Sequence, residues 1–96
     1  MKKITKENRQ EVFNDNPKLV IKVGATWCGP CKTYDQILKV LPETLAVYSC
    51  DMDDNADWVA ELRINAVPTT ILFENGVEIK RMTGVQSVET IASLLR

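Results

Sequence analysis

Apolar residues along the chain change their spacing several times, and each change marks an element. "KLVIKVGA", Lys18 to Ala25, is an almost unbroken apolar and β-branched run interrupted by Lys22, and it predicts a central strand covered on both faces. Tyr34, Ile37, Leu38 and Leu41 then recur at three- and four-residue steps, which predicts a helix that begins at the cysteine pair just before them and stops ahead of Pro42. "TLAVYSC" reads as a second strand, and "DMDDNADWVAELRI" passes through an acidic turn into a helix carrying Trp58, Val59 and Leu62 inward. "TTILFENGVEIKRM" holds two β-rich runs around Asn75-Gly76, a pair that tolerates positive φ and therefore predicts a tight hairpin. Ser87 is placed to cap a last helix with Val88, Ile91, Leu94 and Leu95 on one face. Upstream, "ITKENRQEVFNDNP" predicts a short helix capped by Thr5, with Glu7 in its first turn, ending in Asn14-Asp15-Asn16-Pro17. Lys2 to Ile4 adds a brief edge strand, though three residues are too few for periodicity to decide. The order implies an α/β fold: a central mixed sheet of four to five strands with helices on both faces, its first pairings parallel and its hairpin antiparallel.

Length and charge narrow the function. A chain of 96 residues suits a single domain, residues 1–96, with one modest core. Twelve basic residues against thirteen acidic ones leave a net charge of -1, without the basic excess that a phosphate backbone calls for, so no direct nucleic-acid contact is expected. "MKKITKENRQ" starts positively, but polar residues follow where the apolar segment of a signal peptide would stand, and the expectation is a cytoplasmic protein. No apolar run approaches the roughly 20 residues needed to cross a bilayer, and no membrane association is expected. No heptad repeat is visible, which fits a monomer.

The chain has three cysteines and no histidine. Ser-His and Cys-His nucleophilic catalysis are thereby excluded, as is every metal set that includes histidine. An odd count argues against a framework of structural disulfides. What remains is one close pair in "ATWCGPCKTY", Cys28 and Cys31, plus Cys50. With the strand ending near Thr26 and the helix starting near Cys28, the first cysteine lies where free amide hydrogens and the positive end of the helix dipole converge, and a thiolate is stabilised there. The thiolate is the attacking species, so Cys28 is the candidate nucleophile. Cys31 follows one turn later, close enough to attack a mixed disulfide on Cys28, and is the candidate resolving thiol. Gly29 lets another chain approach closely, and Pro30 suits a first helical turn because its missing N–H would be unpaired there. Two other readings stay open: half of a zinc site, for which Cys50 supplies only a third sulfur where four ligands are normal, and an inert buried disulfide.

Trp27-Cys28-Gly29-Pro30-Cys31-Lys32 resembles the active-site motif of the thioredoxin family, and the likeness covers nearly the whole chain. Ala66-Val67-Pro68-Thr69-Thr70 is similar to the family loop with a cis proline facing the cysteines, which makes Val67-Pro68 the expected cis bond. Asn75-Gly76 matches the family hairpin and Gly84 a glycine flanking the substrate groove. The resemblance implies a general protein dithiol-disulfide oxidoreductase with no bound cofactor. A flavin- and NADPH-dependent thioredoxin reductase would restore it, and its clients would be disulfide-containing proteins such as ribonucleotide reductase. Trp27, Gly29, Pro30, Val67, Pro68, Gly84 and Val85 would form an apolar groove in which an extended peptide uses backbone hydrogen bonds. Trp27 is read as a groove residue and Trp58 as helix packing. Two other functions compete: a binding subunit that uses the groove without turnover, and a glutaredoxin-like, glutathione-dependent reductase, which the Gly-Pro dipeptide disfavours.

The chain also departs from the family. Where thioredoxins usually carry a buried aspartate, six residues before the first cysteine, it has Lys22; Gly24 replaces a tryptophan, and Gln36 a proline that kinks the helix. A buried ammonium needs a partner, and Asp51 or Asp53 is a candidate; the alternatives are a tip bent to solvent or a lowered pKa. Cys50 reads as a small core residue, and Asp51, Asp53 and Asp54 as strand-end and capping residues without calcium-loop spacing.

Overall fold

The computed structural model describes all residues, 1–96. Five strands form one sheet in the order β1-β3-β2-β4-β5: β1 Lys2–Lys3, β2 Lys18–Gly24, β3 Val47–Asp51, β4 Thr69–Glu74 and β5 Val77–Thr83. β2 pairs in parallel with β3, and β3 with β1, while β4 runs antiparallel to both β2 and β5. The short run at Lys2 is therefore a true edge strand. The helices are α1 Arg9–Asp15, α2 Gly29–Leu38, α3 Ala56–Glu61 and α4 Val88–Leu94.

Side chains alternate along β2 and divide the interior in two. Leu19, Ile21 and Val23 point into a core with Val12 of α1, Trp58 and Val59 of α3, Cys50, Ile71 and Phe73. Val20 points the other way, to Tyr34 and Leu38 of α2, Ile91 of α4, Val47 and Leu72. Trp58 thus packs as expected, edge-on to Phe13. Lys22 and Gly24 share the parity of Val20, which puts the buried lysine on the α2 face.

Local chemistry fixes the boundaries. Asn75 and Gly76 have φ of 51° and 79°, the left-handed geometry of a tight hairpin turn. Ser87 accepts a hydrogen bond from the Thr90 amide at 3.1 Å and starts α4, and Leu95 falls just beyond its end as the C-cap. α1 corrects the reading of Thr5. Thr5 and Asn8 exchange side-chain to backbone bonds, Asn8 Oδ1 accepting from the Thr5 amide at 2.7 Å, so a turn forms first and the helix begins only at Arg9. Glu7 lies in that turn, and Glu11 is the acidic residue of the first helical turn. α2 ends at Leu38, leaving Leu41 past its C-cap but still packed on the α2-side core.

Candidate active site

β2 ends at Gly24 and α2 begins at Gly29, so the cysteine pair sits at the carboxyl end of the central strand and on the first turn of a helix. Cys28 is the N-cap. Its Sγ accepts the Cys31 amide at 3.2 Å, and Pro30 occupies the opening turn. Sγ thus meets the helix-start polarity the spacing anticipated. Cys28 and Cys31 are joined as a disulfide, with their Cα atoms 5.3 Å apart. Cys28 keeps 5 % of its surface exposed and Cys31 1 %. That is less opening than an attacking sulfur calls for, and the reason is its surroundings: Sγ is bonded to Cys31 and lies 3.8 Å from the Val67 carbonyl oxygen. The better exposed of the two sulfur-bearing residues is nonetheless Cys28.

Around the pair, Trp27 is 66 % exposed, and Gly29 and Pro30 are exposed with it. Trp27 Nε1 donates to Asp53 Oδ2 at 2.9 Å, which holds the indole over the turn. Val67-Pro68 is cis. Pro68 is fully buried and so shapes the backbone under the site without offering surface, whereas Val67 is half-buried against the cysteines. The Gly84 amide donates to the Pro68 carbonyl at 2.8 Å, and Gly84 takes φ of 89°, a conformation that favours glycine. Val85 next to it is exposed.

Lys22 is 3 % exposed, and its partner is neither Asp51 nor Asp53. Nζ lies 2.6 Å from Asp35 Oδ1, on α2. Asp35 was missed because the tertiary pairing of helix over strand is not written in local spacing; its position four residues after Cys31, on the same helical face, is the signal that points to it. The acidic residues divide by role. Asp51 Oδ1 accepts the amides of Asp53 and Asp54 and shapes the turn after β3, while Asp53 is spent on Trp27. Asn55, at the start of α3, turns its side chain away from the helix to bond the Lys6 amide and the Asp51 carbonyl. Cys50 belongs to the core shared with α1 and α3, whereas Cys28 and Cys31 cluster with Ala25, so the third sulfur is not a companion to the pair. Burial first, and Asp51 second, push its thiol up to about 11.

A redox-closable cysteine pair capping a helix at the end of the central strand of a mixed sheet defines a dithiol-disulfide oxidoreductase. Comparison with known proteins carries this further. The thioredoxin family model matches residues 1–96. A thioredoxin of Mycoplasma pneumoniae is 36 % identical over 88 residues, which are 88 % of this chain and 86 % of that protein. A bifunctional thioredoxin reductase/thioredoxin of Mycobacterium leprae is 33 % identical over 90 residues, which are 90 % of this chain but 19 % of that longer protein. Among solved structures, a mutant thioredoxin from Halobacterium salinarum superposes with a TM-score of 0.86 at 26 % identity, covering 99 % of this chain and 86 % of that one. The chain belongs to the thioredoxin family, and its chemistry is disulfide reduction through the cysteine pair.

Proposed function

We propose that the protein is a general reductase of protein disulfides in which Cys28 is the nucleophile and Cys31 the resolving thiol. In the reduced state the Cys28 thiolate attacks a client disulfide, a bond forms between Cys28 and one client sulfur, and the other client sulfur leaves as a thiolate. Cys31 then attacks Cys28 Sγ, which closes the intramolecular disulfide and releases the second client thiol. The observation that carries this assignment is the hydrogen bond from the Cys31 amide to Cys28 Sγ, because it stabilises charge on one sulfur of the pair and not on the other.

The client is an extended peptide lying over Trp27, Gly29, Pro30, Val67, Gly84 and Val85. Exposure of Trp27 and Val85 supports that surface, as does the scarcity of side chains at the two glycines. Pro68 serves the groove from below. The protein acts as a monomeric domain of residues 1–96 with no cofactor of its own, in the cytoplasm, where a free buried Cys50 suits reducing conditions. A flavin- and NADPH-dependent reductase returns it to the dithiol; that a thioredoxin reductase is joined to a thioredoxin in the Mycobacterium leprae relative supports a reductase partner. Clients include disulfide enzymes of the ribonucleotide reductase kind.

Reduction of insulin disulfides by the natural protein and by Cys28→Ser tests the assignment. The natural protein turns insulin over with dithiothreitol as donor, and Cys28→Ser falls to the background rate. Turnover retained in Cys28→Ser, or absent from the natural protein, overturns it and favours a binding subunit.

A further inference from the structure

Beneath Cys31 lies an arrangement that the exchange chemistry has not used. A Cβ added to Gly24 would sit 2.7 Å from Lys22 Nζ and 3.3 Å from Cys31 Cβ, so the lysine tip and the resolving cysteine are neighbours across the one residue of β2 that has no side chain. Asp35 of α2 holds the same Nζ at 2.6 Å and is itself partly open, its side chain 41 % exposed against 4 % for Lys22. Both ion-pair partners line a cavity of about 520 Å³ that also reaches Cys50 and Ser49 and has exposed Lys3, Thr26 and Lys32 at its rim. The cavity thus opens the Lys22–Asp35 pair to solvent, while Cys31 itself stays closed off behind Gly24.

An ammonium placed in a site this buried is costly unless it is held, and one carboxylate holds it. The charges facing it are few: Lys32 and Asp35 from α2, Asp51 from β3, Asp54 after it, and Lys3 from β1. Of these only Asp35 is within ion-pair distance of Lys22. The carboxylate is partly open to solvent, while the ammonium is buried beside Gly24, across which Cys31 lies. A cation so placed favours the thiolate of its neighbour.

We propose that Lys22, anchored by Asp35, is a positioning residue for the second exchange step, supplying the fixed positive charge that stabilises the Cys31 thiolate. The inference rests on the disulfide-reductase reading above. In the mixed disulfide, Cys31 gives its proton to solvent. Its sulfur bonds to Cys28 Sγ as the bond from Cys28 to the client breaks, and the client sulfur leaves with the electron pair and takes a proton from solvent. The cysteine pair has lost two electrons and the client disulfide has gained them.

The test titrates Cys31 directly, without any client, in reduced Cys28→Ser protein labelled with ¹³C at the cysteine β-carbons. Cys50→Ala in the same background removes the third thiol, so that the signal read is that of Cys31. Adding Lys22→Met raises the Cys31 midpoint by about one pH unit or more, and adding Asp35→Asn, which leaves the ammonium uncompensated, lowers it. A midpoint that is unchanged or lower in Lys22→Met overturns the proposal. Should that variant not fold, Lys22→Gln decides in its place: a raised midpoint supports the proposal, and an unchanged or lowered one overturns it. A merely structural role for the pair moves the denaturation midpoint and leaves the thiol titration where it was. Failure of the reductase reading appears in the insulin assay and not here.

Discussion

Cys28, half of a disulfide, and Cys50, a free thiol, place sulfur in opposite surroundings. The first has a backbone N–H aimed at its sulfur; the second is enclosed by apolar side chains and stands next to Asp51. The consequence for Cys50 is a stability that depends on alkaline pH. Its thiol ionises at about 11 in the folded protein against an ordinary 9.0, so between these values the unfolded chain has lost the proton that the folded one keeps. Stability is full below pH 9 and declines as pH rises toward 11, a window in which the raised Tyr34 hydroxyl also contributes with the same sign. Denaturant midpoints across that range fall in the natural protein and fall less in Cys50→Ala. Tyr34 offers a second test at this scale. Its hydroxyl is 2.7 Å from Thr70 Oγ1 in the interior, and Tyr34→Phe leaves that threonine unpartnered, at a cost of about 1–3 kcal/mol in chemical denaturation. That the two cysteines stand together at a helix start was legible from Cys-Gly-Pro-Cys alone, because helix starts have a local chemistry. The partner of Lys22 was not, since Asp51, Asp53 and Asp35 differ only in what the fold brings within reach.

Two of the four helices, α2 and α4, begin where a single side chain accepts a free backbone amide. Ser87 is the clearest case, accepting the Thr90 amide, and Ser87→Ala lowers stability by about 1 kcal/mol in denaturant titrations. The Asn75-Gly76 turn rests on backbone geometry instead. Gly76→Val forces a β-branched residue to φ of 79° and destabilises the β4–β5 hairpin by more than 1 kcal/mol, on the order of the 1–3 kcal/mol such backbone strain costs. Both elements were readable in advance. The start of α1 was not: Thr5 has the chemistry of a cap, yet Asn8 takes its amide and spends a turn before the helix begins. Arg81 shows another signal that spacing does not contain. It reaches from β5 to the carbonyls of Leu62 and Arg63, satisfying the end of α3 from a distant part of the chain.

At the scale of the molecule, one sheet separates two cores and carries the cysteine turn at the end of its central strand. Ile71 is wholly buried at the middle of β4, opposite Ile21. Ile71→Ala costs about 2–5 kcal/mol, a large part of the roughly 5–15 kcal/mol that holds a domain of this kind together, and is read as a lowered melting temperature. The alternation along β2 foretold a strand covered on both sides, but not which helix covers which side. That assignment depends on crossover geometry, and it is what brings Asp35 rather than Asp51 to Lys22. Gly24 draws a last consequence from the same packing. A β-carbon at position 24 would fall 2.7 Å from Lys22 Nζ, so a larger residue there obliges the flexible lysine tip to swing aside and loosens its grip on Asp35.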